Sequence, residues 1–427
     1  MAERIVFIHL PGQTEAVPAG RLTLLERGSV VAASTFAYGR RYLQRCNPGP
    51  LPVDPVSLPL AEASDGAERV PAAGLTMFGA LRDAAPDAWG RRVIENRLRA
   101  PPNGLPESVY LDHAGPHRAG ALDVRAAPTS GPGSSALPSA LELEHLLEAA
   151  ARIEAGEPVP AHLEAFFAGG PSVGGARPKA VVAHDGGEWI AKFPARDDRF
   201  DVPLIEFATL ELARHAGLDV PATRLETLAD GRHVMLIERF DREPLSRGRG
   251  RRHMVSALTM LALHEQESPN ASYAAIADAL SRYGVGGRIA PDREELFARM
   301  VFNILVSNDD DHLRNHAFLY APAGDGWRLS PLYDVVPKPQ VAKERTLHLS
   351  VGPHGRAARL DNALAGAGRF GLLPPAAARI IERVAAAVRP WRKVFEALGV
   401  SALECDRVAS AFRRAGDIGM RDVERRL

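Results

Sequence analysis

In "FNILVSNDDDHLRNHAFLY", residues 302–320, three consecutive carboxylates (Asp309, Asp310 and Asp311) stand between two apolar runs, with His312 and Asn315 close behind. Like charges at this spacing raise the cost of ionising one another. A bound metal ion offsets such repulsion, being the largest local charge at its site. Phosphoryl-transfer loops put a base Asp five residues before a metal-binding Asn, so one loop orients the nucleophile and holds the metal. Counting back five from Asn315 gives Asp310. Asp309 and Asp311 are then expected to face solvent or backbone amides of the turn, and His312 to orient the loop or face a phosphate. An Asp-rich turn capped by Asn315 is the plain alternative, because acids are common in turns.

A further acid enters from downstream. "HAFLY" and "WRLSP" read as strands separated by "APAGDG", whose Asp-Gly pair suits a tight reversal. If they pair, Asn315 just before the hairpin and Asp334 in "LSPLYDVV" just after it meet at its open end. An amide oxygen and a carboxylate are hard ligands suited to Mg2+.

Upstream, "AGGPSVGGARPKAVVAHDGGEWIAKFP" carries a glycine loop (Gly169, Gly170, Gly174, Gly175) feeding two strands. Such a loop closes over phosphates with its backbone N–H groups, and Lys192 on the second strand reaches them as a point charge. Ala176 and Arg177 follow the glycines, so the Lys-Ser/Thr pair of a Walker A loop is missing. The plain alternative is a flexible loop with Lys192 snorkelling from a strand. Glu206 lies in the first turn of the helix "VPLIEFATLELARHAGLDVP", where it either fixes Lys192 by an ion pair, as in protein kinases, or complements the helix dipole. "RHVMLIERFDRE" is an apolar strand ending at Glu238, Arg239 and Phe240, the place of a hinge that binds an adenine edge, or else a surface ion-pair cluster. Each piece is modest alone. Their order (glycine loop, strand Lys, helix Glu, hinge strand, D-x-H-x-x-N loop, hairpin, Asp) is the one a kinase fold requires.

These residues need elements to hold them. Residues 1 to about 70 are β-rich, with "RIVFIHL" and "RLTLLERGSVVAAS" broken by Gly and Pro. "APDAWGRRVIENRLRA" and "ALELEHLLEAAARIEAG" read as helices. Residues 115–140, rich in Gly, Pro, Ser and Ala, read as a linker or long surface connection. Beyond about 253 the pattern is mostly helical. The reading is α+β: a two-lobed, protein-kinase-like fold with an extra β-rich N-terminal subdomain (1–125), a lobe with the glycine loop (126–240) and a helical C-terminal lobe (241–427). At 427 residues the chain has room for two or three packed units. Its 52 basic and 52 acidic residues cancel, so no global field argues for binding nucleic acid or membrane. Two distant cysteines, Cys46 and Cys405, exclude a disulfide framework and a zinc site, which fits a reducing cytoplasm. The charged start "MAERIVFIHL" reads as a strand and not as a signal peptide.

"SVGGARPKA", "ERFDR", "SALTML", "NDDDHLRNHAF" and "LSPLYDV", with "APDAWGRRVI" near the N-terminus, resemble the HipA family of bacterial Ser/Thr protein kinases, the toxin halves of toxin–antitoxin pairs. The resemblance runs over nearly the whole chain. It implies ATP and Mg2+ as cofactors, Asp310 as the catalytic base, and Asn315 and Asp334 as Mg2+ ligands. Lys192 would contact the ATP phosphates, and Gly174, Gly175, Ala176, Arg177, Pro178 and Lys179 would cover them. Glu238, Arg239 and Phe240 would hold the adenine, with His312 and the residues up to Asn315 lining the nucleotide site. Ser172 matches the position of autophosphorylation, where about two added negative charges would expel the loop from the phosphate site and switch the enzyme off. The resemblance further implies a translation component as substrate, such as an aminoacyl-tRNA synthetase, and a DNA-binding antitoxin of HipB type as partner, with DNA reached only through it. Trp89 and Arg91 are read as packing between subdomains. The basic stretch 241–253, "DREPLSRGRGRRH", is read as a solvated loop or as a surface for an acidic partner. A small-molecule or lipid kinase and a catalytically silent kinase-fold module are the competing functions.

Overall fold

The computed structural model describes residues 1–64, 66–133, 136–160, 163 and 175–427. They pack as two compact units, one of residues 1–197 and 227–263, the other of residues 198–226 and 264–427.

The first unit opens with the antiparallel strands β1 (Ala2–His9), β2 (Ala16–Arg27) and β3 (Val30–Tyr38), as their alternating apolar residues lead one to expect. The sheet order is β3-β2-β1-β4, where β4 is Leu122–Arg125. The expected linker 115–140 is therefore partly structural. Its residues 122–125 pair with β1, and Arg118 is only 1% exposed. The same unit holds β5 (Lys179–His184) and β6 (Gly187–Lys192). The chain then leaves for the helix Val202–His215 and comes back along β7 (Thr223–Thr227) to β8 (His233–Glu238). β6 pairs antiparallel with β5 and with β8. The helix Leu143–Glu154 starts at a capping box, Ser139 with Glu142. Its Leu143, Leu146, Leu147, Ala150 and Ile153, spaced for one helix face, share a core with Val182, Trp189, Ala191, Phe193, Leu236 and Trp89.

Within the first unit, residues before 125 bond residues after it. The Trp89 indole Nε1 donates to the Lys179 carbonyl at 2.8 Å, and Arg239 Nη1 donates to the His117 carbonyl at 2.7 Å. The basic stretch 241–253 also departs from expectation. It forms a hairpin of β9 (Arg242–Pro244) and β10 (Arg249–Arg251), then β11 (Met254–Ser256). Arg242 turns inward, beside Arg239 just before the stretch, because carboxylates await them, while Arg247 and Arg252 stay exposed. Asp241 bonds Arg239 at 2.8 Å and Arg242 at 2.9 Å, while Glu188 bonds Arg242 at 2.9 Å. Ser256 then caps the short helix Ala257–Met260 of the "SALTML" stretch, and Asp83 accepts from Ser256 Oγ at 2.8 Å and Thr259 Oγ1 at 2.7 Å.

The second unit is mainly helical, as expected. Its central helix, Ile289–Val306, is buried on every side from Leu296 to Val306, the mark of a core helix. The strands β12 (Ala317–Ala321) and β13 (Gly326–Leu329) form the expected hairpin, with Phe318 opposite Leu329. Asp292 and Arg299 of the central helix fix that hairpin by accepting from the Leu329 N–H at 2.9 Å and donating to the Ser330 carbonyl at 2.8 Å. Among the described residues no helix is long and apolar enough to cross a membrane.

Burial opposes ionisation of Asp241 and Glu188, but facing arginines, and for Glu188 also His117, hold both well below the ordinary carboxylate range. A depressed folded-state pKa contributes stability above the unfolded value, lost as pH falls. The first unit should therefore lose stability progressively below about pH 4, the unfolded carboxylate value. Asp241→Asn takes the nearest carboxylate charge from buried Arg239 and Arg242, leaving them Glu188 alone, and should cost about 3–5 kcal/mol at pH 7 in urea unfolding. Its stability should also depend less steeply on acid pH than that of the native chain.

Candidate active site

The central helix stops at Ser307, whose left-handed backbone (φ 52°) ends the helical ladder. The turn that follows is closed by its own backbone: His312 N–H to the Asp310 carbonyl at 2.8 Å, and Asn315 N–H to the His312 carbonyl at 2.9 Å. Leu313–Asn315 form one 3-10 turn, and the Asn315 amide donates to the Asp310 carbonyl at 3.2 Å. That bond uses Nδ2 and leaves the amide oxygen Oδ1 as the group suited to a cation.

The three aspartates go to three different places. Asp310 is exposed at the tip. Asp309 is half-buried and accepts from Gln340 Nε2 at 2.5 Å. Burial raises its pKa, as does the neighbouring Asp310, against Lys338 and Gln340. Asp311 corrects the sequence reading, because it faces neither solvent nor turn amides. It is 1% exposed, and its Oδ2 accepts from the Tyr273 hydroxyl at 2.5 Å, Asn303 Nδ2 at 2.7 Å and His316 Nε2 at 3.0 Å. Burial penalises its charge, yet His316 and Tyr273 keep its pKa below the ordinary value. Tyr273, Asn303 and His316 were missed from sequence. Two signals pointed at them: Asn303 interrupts the apolar run "MVFNILV", and His316 follows Asp311 by the same five residues that separate Asp310 and Asn315.

Asp334 lies past the hairpin and takes a left-handed backbone, φ 61°. For a non-glycine residue this costs about 1–2 kcal/mol, and such outliers cluster at ligand sites. Tyr333 donates its hydroxyl to the Arg314 carbonyl at 2.7 Å, which ties the chain after the hairpin to the turn before it. One carboxylate and one amide oxygen, completed by water and substrate phosphates, are the donors Mg2+ takes. The His312 ring stands edge-on to His348 at 5.8 Å between centroids, and its Nδ1 is buried with no hydrogen-bond partner among the described residues. This orphan acceptor or donor suits a polar ligand.

The nucleotide-side residues lie mostly in the first unit. Ser172 and Gly174 fall outside the described residues. Gly175 has φ 119°, and a Cβ there would stand 2.5 Å from Lys179 Nζ, so only glycine fits. Gly175 and Ala176 are exposed and Arg177 half-buried, whereas Pro178 and Lys179 are buried. The Lys179 ammonium pairs with Asp87 at 3.4 Å. Asp87 also caps the helix Ala88–Leu98, and the Trp89 N–H donates to the Gly175 carbonyl at 3.3 Å. Trp89 thus packs, as read from sequence, and in doing so anchors the loop's end. Arg91 also holds Glu107 at 2.7 Å. Lys192 sits opposite Lys179 across β5 and β6, half-buried. Glu238 is exposed and Phe240 half-buried. The Arg239 side chain is consumed by Asp241 and its N–H by the Glu188 carbonyl at 3.1 Å, so neither is left for an adenine. Glu206, in the second unit, is 2% exposed and stands past the first turn of the helix Val202–His215, which begins earlier than the expected dipolar role requires.

Residues 171–391, more than half of the chain, match the HipA-like C-terminal domain. The chain belongs to that family. Its fold is that of a solved HipA from Shewanella oneidensis, described in complex with HipB and operator DNA: TM-score 0.66 at 18% identity, covering 98% of this chain and 97% of that one. A protein of Sinorhizobium fredii named as a kinase, Y4dM, is 32% identical over 165 residues, and one of Haemophilus influenzae, also named as a kinase, is 28% identical over 155. Those stretches cover 35% and 34% of this chain, and 37% and 44% of the relatives' own lengths.

The left-handed backbone at 334 makes a stability test. Asp334→Ala and Asp334→Gly both remove the carboxylate, but only alanine keeps the steric cost. Glycine should be the more stable by about 1 kcal/mol in urea unfolding, the reverse of the usual ranking.

Proposed function

We propose that the chain is an ATP-dependent protein kinase that phosphorylates Ser or Thr hydroxyls. The observation that carries this reading is the loop itself: exposed Asp310, five residues before an Asn315 whose amide donates to the Asp310 carbonyl, with Tyr333, next to left-handed Asp334, bonded to Arg314 of the same loop. The acceptor oxygen attacks the γ-phosphorus and the bond to the β–γ bridging oxygen breaks, releasing ADP. The acceptor's proton passes to the Asp310 carboxylate. Asn315 Oδ1 and the Asp334 carboxylate would hold Mg2+, which would supply positive charge to offset that of the phosphates. Lys192 contacts the phosphates. The loop Gly174–Lys179 covers them, with Lys179 paired to Asp87 at its end. His312 lines the nucleotide site. The backbone of Glu238 and Phe240 takes the adenine edge, Arg239 serving as their buried anchor. Positioning and charge supply most of the rate.

By kinship with HipA the chain is further proposed as the toxin of a toxin–antitoxin pair. Its partner would be a DNA-binding antitoxin of HipB type, its substrate a component of translation such as an aminoacyl-tRNA synthetase, and its place the cytoplasm. Phosphorylation of its own Ser172 would switch it off.

Intact mass before and after Mg-ATP tests the reading. The native chain should gain one phosphoryl group, mapped to Ser172, or arrive already carrying it. Asp310→Asn and Asp334→Asn should slow the gain by about 10²–10⁴-fold. Full activity in both variants would sink the assignment. No phosphoryl group in any of them, with ATP bound, would favour a small-molecule kinase or a silent module.

A further inference from the structure

The loop contains two pairings of equal span. The outer one joins Asn315 to the Asp310 carbonyl, and the inner one joins His316 to the Asp311 carboxylate, each five residues apart and directly adjacent in sequence. They differ in strength. The outer bond is neutral and 3.2 Å long, worth about 1 kcal/mol net. The inner one is charge-assisted, lies within a network at 2.5–3.0 Å, and is buried, with His316 0% and Asp311 1% exposed. Asp311 Oδ2 gathers donors from three separate elements: Tyr273 on the helix Tyr273–Tyr283, Asn303 on the central helix, and His316 at the entry to β12. Asn303 is itself steadied by Asn308, whose Nδ2 donates to its Oδ1 at 3.1 Å. Only a carboxylate accepts from three donors without presenting one of its own.

We propose that Asp311 is the positioning residue of the loop: its buried carboxylate, held by Tyr273, Asn303 and His316, fixes the backbone from 310 to 316 and so sets where Asp310 and Asn315 stand. The roles of Asp310 and Asn315 rest on the phosphotransfer reading above. Asp311 touches no substrate, so its loss acts on turnover and leaves the nucleotide's affinity in place.

The test compares the native chain with Asp311→Asn, His316→Gln, Tyr273→Phe and, as a stability control, Ile381→Val, a buried methyl deletion in the helix Pro374–Val388. Two quantities are read per folded molecule: kcat and KM for ATP in self-phosphorylation, and hydrogen exchange of the backbone amides from 308 to 316. Asp311→Asn should lower kcat by about 10²-fold with KM for ATP within about twofold, and speed exchange across the loop. His316→Gln keeps a donor toward the carboxylate and should remain within about tenfold of native kcat. Ile381→Val should move neither quantity. If Asp311→Asn does not fold, Tyr273→Phe, which removes one donor and keeps the ring, carries the comparison, with a kcat loss of about tenfold. Native kcat or native loop exchange in the informative variant would overturn the proposal. If the native chain transfers no phosphoryl group, the phosphotransfer reading falls separately, and the exchange measurement alone decides whether Asp311 holds the loop.

Discussion

A carboxylate removed from water is costly unless it is fully hydrogen-bonded, and the second unit is organised around meeting that demand for Asp311. One oxygen draws the helix Tyr273–Tyr283, the central helix and the entry to the hairpin to a single point. Because those elements converge there, the turn between them has little freedom left. Three consecutive acids become tolerable by separation: Asp311 goes inward, Asp309 sideways to Gln340, and Asp310 outward into solvent. The repulsion expected from their spacing is relieved by direction as well as by any bound cation.

The rest of the site is tied to this anchored turn. Tyr333 reaches back to Arg314, so the chain leaving the hairpin is held beside the turn it left, and Asp334 is kept in a left-handed conformation that it would not choose alone. The central helix secures the other side, with Asp292 and Arg299 gripping the end of β13. In the first unit the same logic operates with opposite charges. Asp241 and Glu188 draw Arg239 and Arg242 out of solvent, while Asp87 holds Lys179 under the exit of the glycine loop. Lys179 and Arg239, both expected beside the nucleotide, each pair with a carboxylate of their own unit. The exposed Gly175, Ala176 and Glu238 offer backbone groups.

Much of this was legible in the chain. The hairpin around 316–330, the capped helix at 143–154, the early strands and the D-x-H-x-x-N spacing all depend on neighbours within a few residues, and local periodicity and turn chemistry report such neighbours faithfully. The family resemblance rests on the same short motifs. What remained hidden was direction. Sequence showed three aspartates but not which one would be buried, and showed a basic stretch at 241–253 without the carboxylates that draw its Arg242 inward.

The physical reason is distance along the chain. Asp311 meets Tyr273 from 38 residues away and Arg239 meets His117 from 122, and no spacing rule links such positions before the core has formed. Residue types, their local spacing and hence the candidate chemistry of Asp310, Asn315 and Asp334 were determined by the sequence by itself. Burial, which assigns each charge its partner and makes Asp311 a support and Asp310 an exposed group, was decided only by the tertiary structure. The cost of an unpaired charge depends on what the fold packs around it.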